Sequence, residues 1–186
     1  MPPKVKISRE DILNAAVELV RKEGVGAVNA RTVAAALQCS TQPVFSNFAT
    51  MEQLHFAVVQ RADELCRDYI RQETERGQFP AYKASGMAYI RFAKEETELF
   101  KLLYMRDRGC EGLAEGQALD RDMESLVHEN TGLEAESAKL FHLEMWAFVH
   151  GIATMFATGF FGLEWDLVSK MLTDAYLGLR KQYGKE

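Results

Sequence analysis

The chain is predicted to be all-α, with a small N-terminal unit of three helices followed by a larger helical domain. Three observations predict this. Apolar residues recur at helical spacing along most of the 186 residues. No stretch sustains the two-residue alternation of a strand. Only four prolines occur, and two of them are Pro2 and Pro3. A hydrophobic content of 47% beside 26% charged residues belongs to a folded chain and not a disordered one. The length suffices for one well-buried domain, or a small one joined to a larger one.

Each element has its own local reason. Ser8-x-x-Asp11 is a capping-box start. Ile12, Ala15, Ala16, Leu19 and Val20 follow at helical spacing, and Gly24 ends that helix. Asn29 is a fitting cap for a second helix with Val33, Ala34 and Leu37 inward. Gln38-Cys39 makes a turn, and Ser40 is expected to cap a third helix. Pro43 falls in its first turn, where a missing N–H costs little, and Val44, Phe45 and Phe48 supply apolar contacts. Thr50-x-x-Gln53 caps a long fourth helix reaching about Thr74, with Leu54, Val58, Leu65 and Tyr69 along it. Gly77-Gln-Phe-Pro80 punctuates the chain. Further helices are predicted over 81–94, 97–106, 117–130, 134–158 and 165–182, with a polar loop at 106–112. The expected division is 1–55 for the three-helix domain, 56–80 for a connecting helix and linker, and 81–186 for the second domain.

Composition excludes several function classes. Cys39, Cys66 and Cys110 are odd in number and far apart, so neither a disulfide framework nor a zinc site is indicated. A reducing cytoplasm is the expected compartment. Met1-Pro-Pro-Lys-Val-Lys6 lacks the apolar run of a signal peptide. Residues 145–163 carry no formal charge, but they hold three glycines and are flanked by Glu144 and Glu164. That pattern is expected of a helix buried on most sides and not of a membrane span. No phosphate loop or nucleophile elbow occurs. A carboxylate-bridged metal site needs two facing Glu-x-x-His motifs, and only Glu52-Gln-Leu-His55 is present. No enzyme activity, catalytic residue, metal site or cofactor is therefore expected. Charge is uneven along the chain. Lys4, Lys6, Arg9, Arg21, Lys22 and Arg31 outnumber the acids of residues 1–55 by one, within a chain of net charge −5. An acidic protein can still attract phosphate locally, since the force acts over about one Debye length.

Residues 31–48 read as two short helices joined by a tight turn, the geometry that seats a second helix in the DNA major groove. On that helix Gln42 can pair with adenine, and Thr41 can meet a thymine methyl or a base edge. Arg31 can reach guanine or phosphate, while Ser46 and Asn47 suit phosphate oxygens. A purely structural use of Ser40 and Thr41 as caps, and of Arg31 as a solvated charge, competes with this residue by residue.

Residues 8–58 resemble the N-terminal DNA-binding domain of the TetR family of transcriptional repressors. The resemblance rests on Ile12-Leu-Asn-Ala-Ala16, Gly24, Asn29-Ala-Arg-Thr-Val-Ala34, Ser40-Thr-Gln-Pro-Val-Phe-Ser-Asn-Phe48 and Thr50-Met-Glu-Gln-Leu54. Trp146-Ala-Phe-Val-His-Gly151 also resembles a Trp-x-x-x-His-Gly motif in one subset of the family's C-terminal domains. Four positions depart from the usual pattern: Gln38 for Gly, Phe45 for Tyr, Asn47 for His and Met51 for Lys. The resemblance implies a DNA contact set of Lys4, Lys6, Arg31, Thr41, Gln42, Phe45, Ser46 and Asn47, with Lys4, Lys6 and Asn47 offsetting the lost phosphate contacts. It also implies a cytoplasmic, ligand-responsive regulator of double-stranded DNA, active as a homodimer on a palindromic operator and released as a repressor by a small molecule.

The same resemblance assigns ligand sensing and dimerisation to 81–186. The last two helices would pair with their copies through Leu140, Leu143, Ala147, Gly151 and Thr154 on one and Val168, Leu172, Ala175 and Leu179 on the other. Met87, Ile90, Tyr104, Met123, Met145, Phe148 and His150 are the expected pocket lining, which suits an apolar effector. Ordinary core packing is the competing reading of those residues, and for His150 a satisfied core histidine is the favoured one. Two other readings compete: a helical dimeric protein-interaction module whose DNA head has lost phosphate contacts, and a redox sensor built on Cys110 beside Arg106 and Arg108.

Overall fold

The computed structural model describes residues 7–106 and 116–184. Lys4, Lys6 and Cys110, each given a role above, lie outside the described residues. Those described form nine α-helices: α1 (Arg9–Glu23), α2 (Ala30–Ala36), α3 (Gln42–Asn47), α4 (Met51–Arg76), α5 (Ala81–Glu95), α6 (Thr97–Tyr104), α7 (Gly116–Thr131), α8 (Ala135–Thr158) and α9 (Trp165–Tyr183). They contain no strand. The chain divides into two compact units. One comprises Met1–Cys66 with Glu96–Arg106, and the other Arg67–Glu95 with Asp107–Glu186.

The first unit is built from local signals. Ser8 accepts from the Asp11 N–H at 3.1 Å while the Asp11 carboxylate accepts from the Ser8 N–H at 2.8 Å, closing the capping box that starts α1. Gly24 ends α1 at φ 81°, a conformation that a side chain resists, and a Cβ there would meet Glu98 at 3.1 Å. A short 3₁₀ turn over Val25–Ala27 follows. The His55 imidazole, with Nε2 2.9 Å from the Val28 carbonyl, pins that segment to α4. Ile12, Ala16, Val20, Val33, Val44, Phe48 and Leu54 are buried together with Leu99 and Phe100 of α6. Removing such side chains from water contributes about 1.5–3 kcal/mol each. α1 packs on α6, and Arg21 clamps Glu96 through two hydrogen bonds of 2.8 and 2.7 Å. α6 therefore groups with the three-helix head, although its residues fall within the 81–186 range expected from sequence.

In the second unit α8 is the central helix, packed by α5, α7 and α9. By length and composition α8 could cross a membrane, with a mean hydropathy of 1.2 over its most apolar window. Here one face of it is covered by the neighbouring helices, with 39% of that window buried, while Leu140, Leu143, Trp146 and Phe148 stand exposed. Val127, Ala138, Phe141 and Met145 form a core against which Tyr82, Tyr176, Leu179 and Tyr183 pack. Gly86 on α5 lets Leu172 and Val149 approach, since a Cβ at that position would sit 3.0 Å from the Leu172 methyl. Two tyrosine–histidine hydrogen bonds tie α5 to α8: Tyr82 to His142 Nδ1 at 3.0 Å and Tyr89 to His150 Nδ1 at 2.9 Å. The expected dimer stripe on α9 needs correction. Val168 and Leu172 are 0% and 3% exposed inside this unit, so a single chain already uses that face.

Candidate nucleic-acid interface

α2 and α3 each pack against α1 and against each other. Asn29 starts α2 by accepting from the Arg31 and Thr32 N–H groups at 3.0 and 3.1 Å. Thr32 returns the contact by accepting from the Asn29 N–H. Val33, Ala34, Val44 and Phe48 face the core, which leaves the other side of both helices outward. The turn runs through Gln38 at φ 52°, the left-handed conformation that glycine enters without strain.

The start of α3 differs from expectation. Thr41, not Ser40, holds the capping position, and its side chain makes no capping hydrogen bond. The reason is conformational. Thr41 is already helical, at φ −71° and ψ −12°, whereas a capping side chain reaches the next amides from an extended backbone.

The exposed face carries Arg31 and Gln42, Phe45 with half its surface open, Ser46, and the half-buried Thr41 and Asn47. All six come from the expected contact set, and the fold places them on one helix-turn-helix. Between Gly24 and Met51 no residue is acidic and Arg31 is the single formal charge. No acidic side chain of the helix-turn-helix itself therefore opposes a phosphate approaching α2 and α3.

Two of the expected phosphate donors are engaged inside their own helix. The Ser46 hydroxyl donates to the Gln42 carbonyl at 2.9 Å, and the Asn47 amide donates to the Pro43 carbonyl at 2.9 Å. Ser46 has a single O–H and must give up its bond to donate to a phosphate, whereas the Asn47 amide keeps a second N–H for one. Sequence reasoning missed Arg9. Its guanidinium lies 3.8 Å from the Phe48 ring centroid and donates to the Asn47 carbonyl at 2.8 Å, locking the end of α3 to α1. The signal was a cation at the first position of α1, whose partner stands 38 residues away.

The expected pocket residues scatter. Met87 and Ile90 are 0% exposed and Met145 is 4% exposed, all within the core of the second unit, and Met123 is half-buried. Phe148 lies open at 37%. Tyr104 belongs to the first unit, with its hydroxyl 3.6 Å from Cys66 Sγ and its ring against Phe100. His150 stacks on Trp146 at 4.8 Å between ring centroids, and burial lowers its pKa from the ordinary 6.5. Burial, followed by the nearby Tyr176, raises the pKa of the Tyr82 phenol, so it stays a neutral hydrogen-bonding partner for His142.

A cleft of about 280 Å³ opens elsewhere in the second unit, lined by Tyr69, Gln72, Glu73, Arg76, Arg91 and Glu95. None of these was anticipated. The available signal was Glu73, which continues the four-residue spacing of Leu65 and Tyr69 and so puts a carboxylate on the inward stripe of α4.

Comparison with known proteins adds the following. The family described as tetracyclin repressor-like, C-terminal domain, matches residues 82–175. A TetR-like transcriptional regulator from Rhodococcus sp. RHA1 shares the fold with a TM-score of 0.70, at 17% identity over 100% of both chains. A TetR family member from Streptomyces coelicolor A3 gives 0.64 at 16% identity, over 90% of this chain and 96% of its own. The multidrug binding protein EbrR, solved with imidazole, gives 0.63 at 17% identity, over 90% and 93%. At such identities these likenesses speak for the fold. No curated protein matches the chain in sequence.

Proposed function

The chain belongs to the TetR family of transcriptional regulators, and from that premise we propose that it is a homodimeric repressor that a small molecule releases from a palindromic operator. The observation that carries the DNA reading is the acid-free helix-turn-helix face with Arg31, Gln42 and Phe45 outward. Gln42 is the base reader, Arg31 the guanine or phosphate contact, and the Phe45 ring an apolar contact for a thymine methyl or a sugar.

One such head makes few contacts, so the operator calls for two heads related by a two-fold axis. The dimer face we assign is the outward side of α8, with Leu140 and Leu143 48% and 56% exposed. Trp146 and Ala147 continue it, and Leu167 and Leu177 of α9 join it. A Cβ at Gly151 would meet nothing within 4 Å in the single chain, which leaves room for a second backbone to come close.

The effector acts by binding the second unit in a form that disfavours DNA, so it need only prefer that form by a few kcal/mol. α5 and α6 are separated by Glu96 alone, and Arg21 of α1 holds that residue. Movement of α5 would therefore pull on the DNA head. An apolar effector, as expected from the sequence, requires the α5–α8 core to open, because Met87, Ile90 and Met145 are sealed there. EbrR, a structural neighbour that binds multiple drugs by its description, supports a small-molecule input of this kind.

The test is binding of the purified protein to the DNA flanking its own gene at two salt concentrations. Sequence-selective binding that weakens with salt is expected. Arg31→Ala should lower the salt dependence by about one phosphate contact. Gln42→Ala should cost about 1–3 kcal/mol and relax preference at one base pair. No binding to any DNA by ligand-stripped protein would instead favour the protein-interaction module.

A further inference from the structure

The cleft between α4 and α5 has a chemistry unlike the rest of the second unit. Glu73 is 1% exposed, and two guanidinium groups share one of its oxygens: Arg91 at 2.6 Å and Arg76 at 2.9 Å from Oε2. The other oxygen, Oε1, is buried with no hydrogen-bond partner. A buried carboxylate oxygen left unpaired is costly and rare, and it asks for a donor. Arg91 is braced by the Trp165 ring, 5.3 Å from its centroid, so the charge pair is held in place. The Tyr69 hydroxyl donates to Glu95 at 3.0 Å on the same cleft.

The lining sets the ligand class. Glu73 and Glu95 balance Arg76 and Arg91, so an occupant without net charge fits best. Gln72 and Tyr69 are the other lining residues, and no aliphatic side chain is present to reward an apolar molecule. A volume of about 280 Å³ lies at the small end of ligand sites. The Arg76 side chain is half-exposed, which leaves its remaining donors accessible to an incoming acceptor.

We propose that this cleft binds a small amino-acid zwitterion, with the ammonium donating to Glu73 Oε1 and the carboxylate held by Arg76. Both contacts are charge-assisted hydrogen bonds; Glu73 Oε1 is buried in the empty cleft, so the half-exposed Arg76 side chain swings aside to let the ammonium reach it. That the occupied cleft regulates DNA binding rests on the reading above, whereas the binding itself does not.

The experiment is calorimetric titration of the full-length protein, without DNA, with glycine, L-alanine and β-alanine up to millimolar concentration. Glycine betaine serves as the control, since it keeps both charges and lacks any N–H donor. Saturable binding of at least one amino acid, and at least tenfold weaker binding of betaine, is expected. Arg76→Gln, at a half-exposed position that leaves the core intact, should weaken the amino acid at least tenfold. Glu73→Gln should remove the preference for an N–H donor, with its fold checked by circular dichroism. No binding by any of the three, equal binding of betaine, or an unchanged Arg76→Gln affinity would overturn the proposal. A protein that binds the amino acid but no DNA would overturn the regulatory reading and leave the site standing.

Discussion

At the scale of single residues, the turn before the recognition helix carries a cost that its sequence announces. Gln38 takes φ 52°, where glycine is at ease and any L side chain is strained. Gln38→Gly should stabilise the protein by about 1 kcal/mol, read as a rise in the midpoint of urea unfolding, and an unchanged or lower midpoint would contradict the strain. His150 gives a pH prediction. Burial lowers its pKa, so as pH falls the unfolded chain takes up the proton before the folded one does. The stability tied to the neutral ring is complete above the ordinary value of 6.5 and is lost as pH falls through the lowered one. Unfolding of wild type and His150→Gln across this range should show the extra acid loss in the wild type alone. Local caps are legible: Ser8 with Asp11, three residues apart, follows the capping-box pattern, and Asn29 stands where a cap is favoured. Glu73 was not, because its ion pair with Arg91 spans 18 residues and two helices, and a sequence does not say which face of α5 turns toward α4.

At the scale of elements, helix positions were legible because apolar periodicity and local stop signals are properties of a segment alone. The destination of an apolar face is not such a property. The stripe on α9 is expected against a second copy, but its Val168 and Leu172 are covered by the chain's own helices. The same periodicity is produced by either arrangement. The 3₁₀ turn at Val25–Ala27 escaped notice for a different reason, since three residues hold too little pattern to register. The link from α1 to α6 is the element contact with most consequence. Arg21 holds Glu96 with two charge-assisted bonds, and the carboxylate side chain is only 14% exposed. Arg21→Ala should cost about 1–2 kcal/mol of stability, measured by chemical denaturation. It should also loosen the head, seen as faster amide exchange in α1 than in α8. A loss confined to α8 would contradict the assignment of α6 to the head.

At the scale of the whole molecule, the all-α class and the regulator family were legible from short motifs. The dimer and the operator were not, because they depend on surfaces that only a partner covers. The outward leucines of α8 and the open space beside Gly151 give the dimer claim a specific handle. A Cβ at Gly151 meets nothing within 4 Å in the single chain, so Gly151→Leu should leave folding intact while blocking a second copy. Sedimentation should then show wild type at twice the variant's mass. The central claim is that two such heads read DNA together, and the most direct measurement is a footprint of wild type and Gly151→Leu on the DNA flanking the gene. Two protected half-sites, with centres about one helical turn apart or a multiple of it, lost in the variant at the same protein concentration, are predicted. A single half-site bound equally by both proteins, or no protection at low salt after ligand removal, would contradict the account.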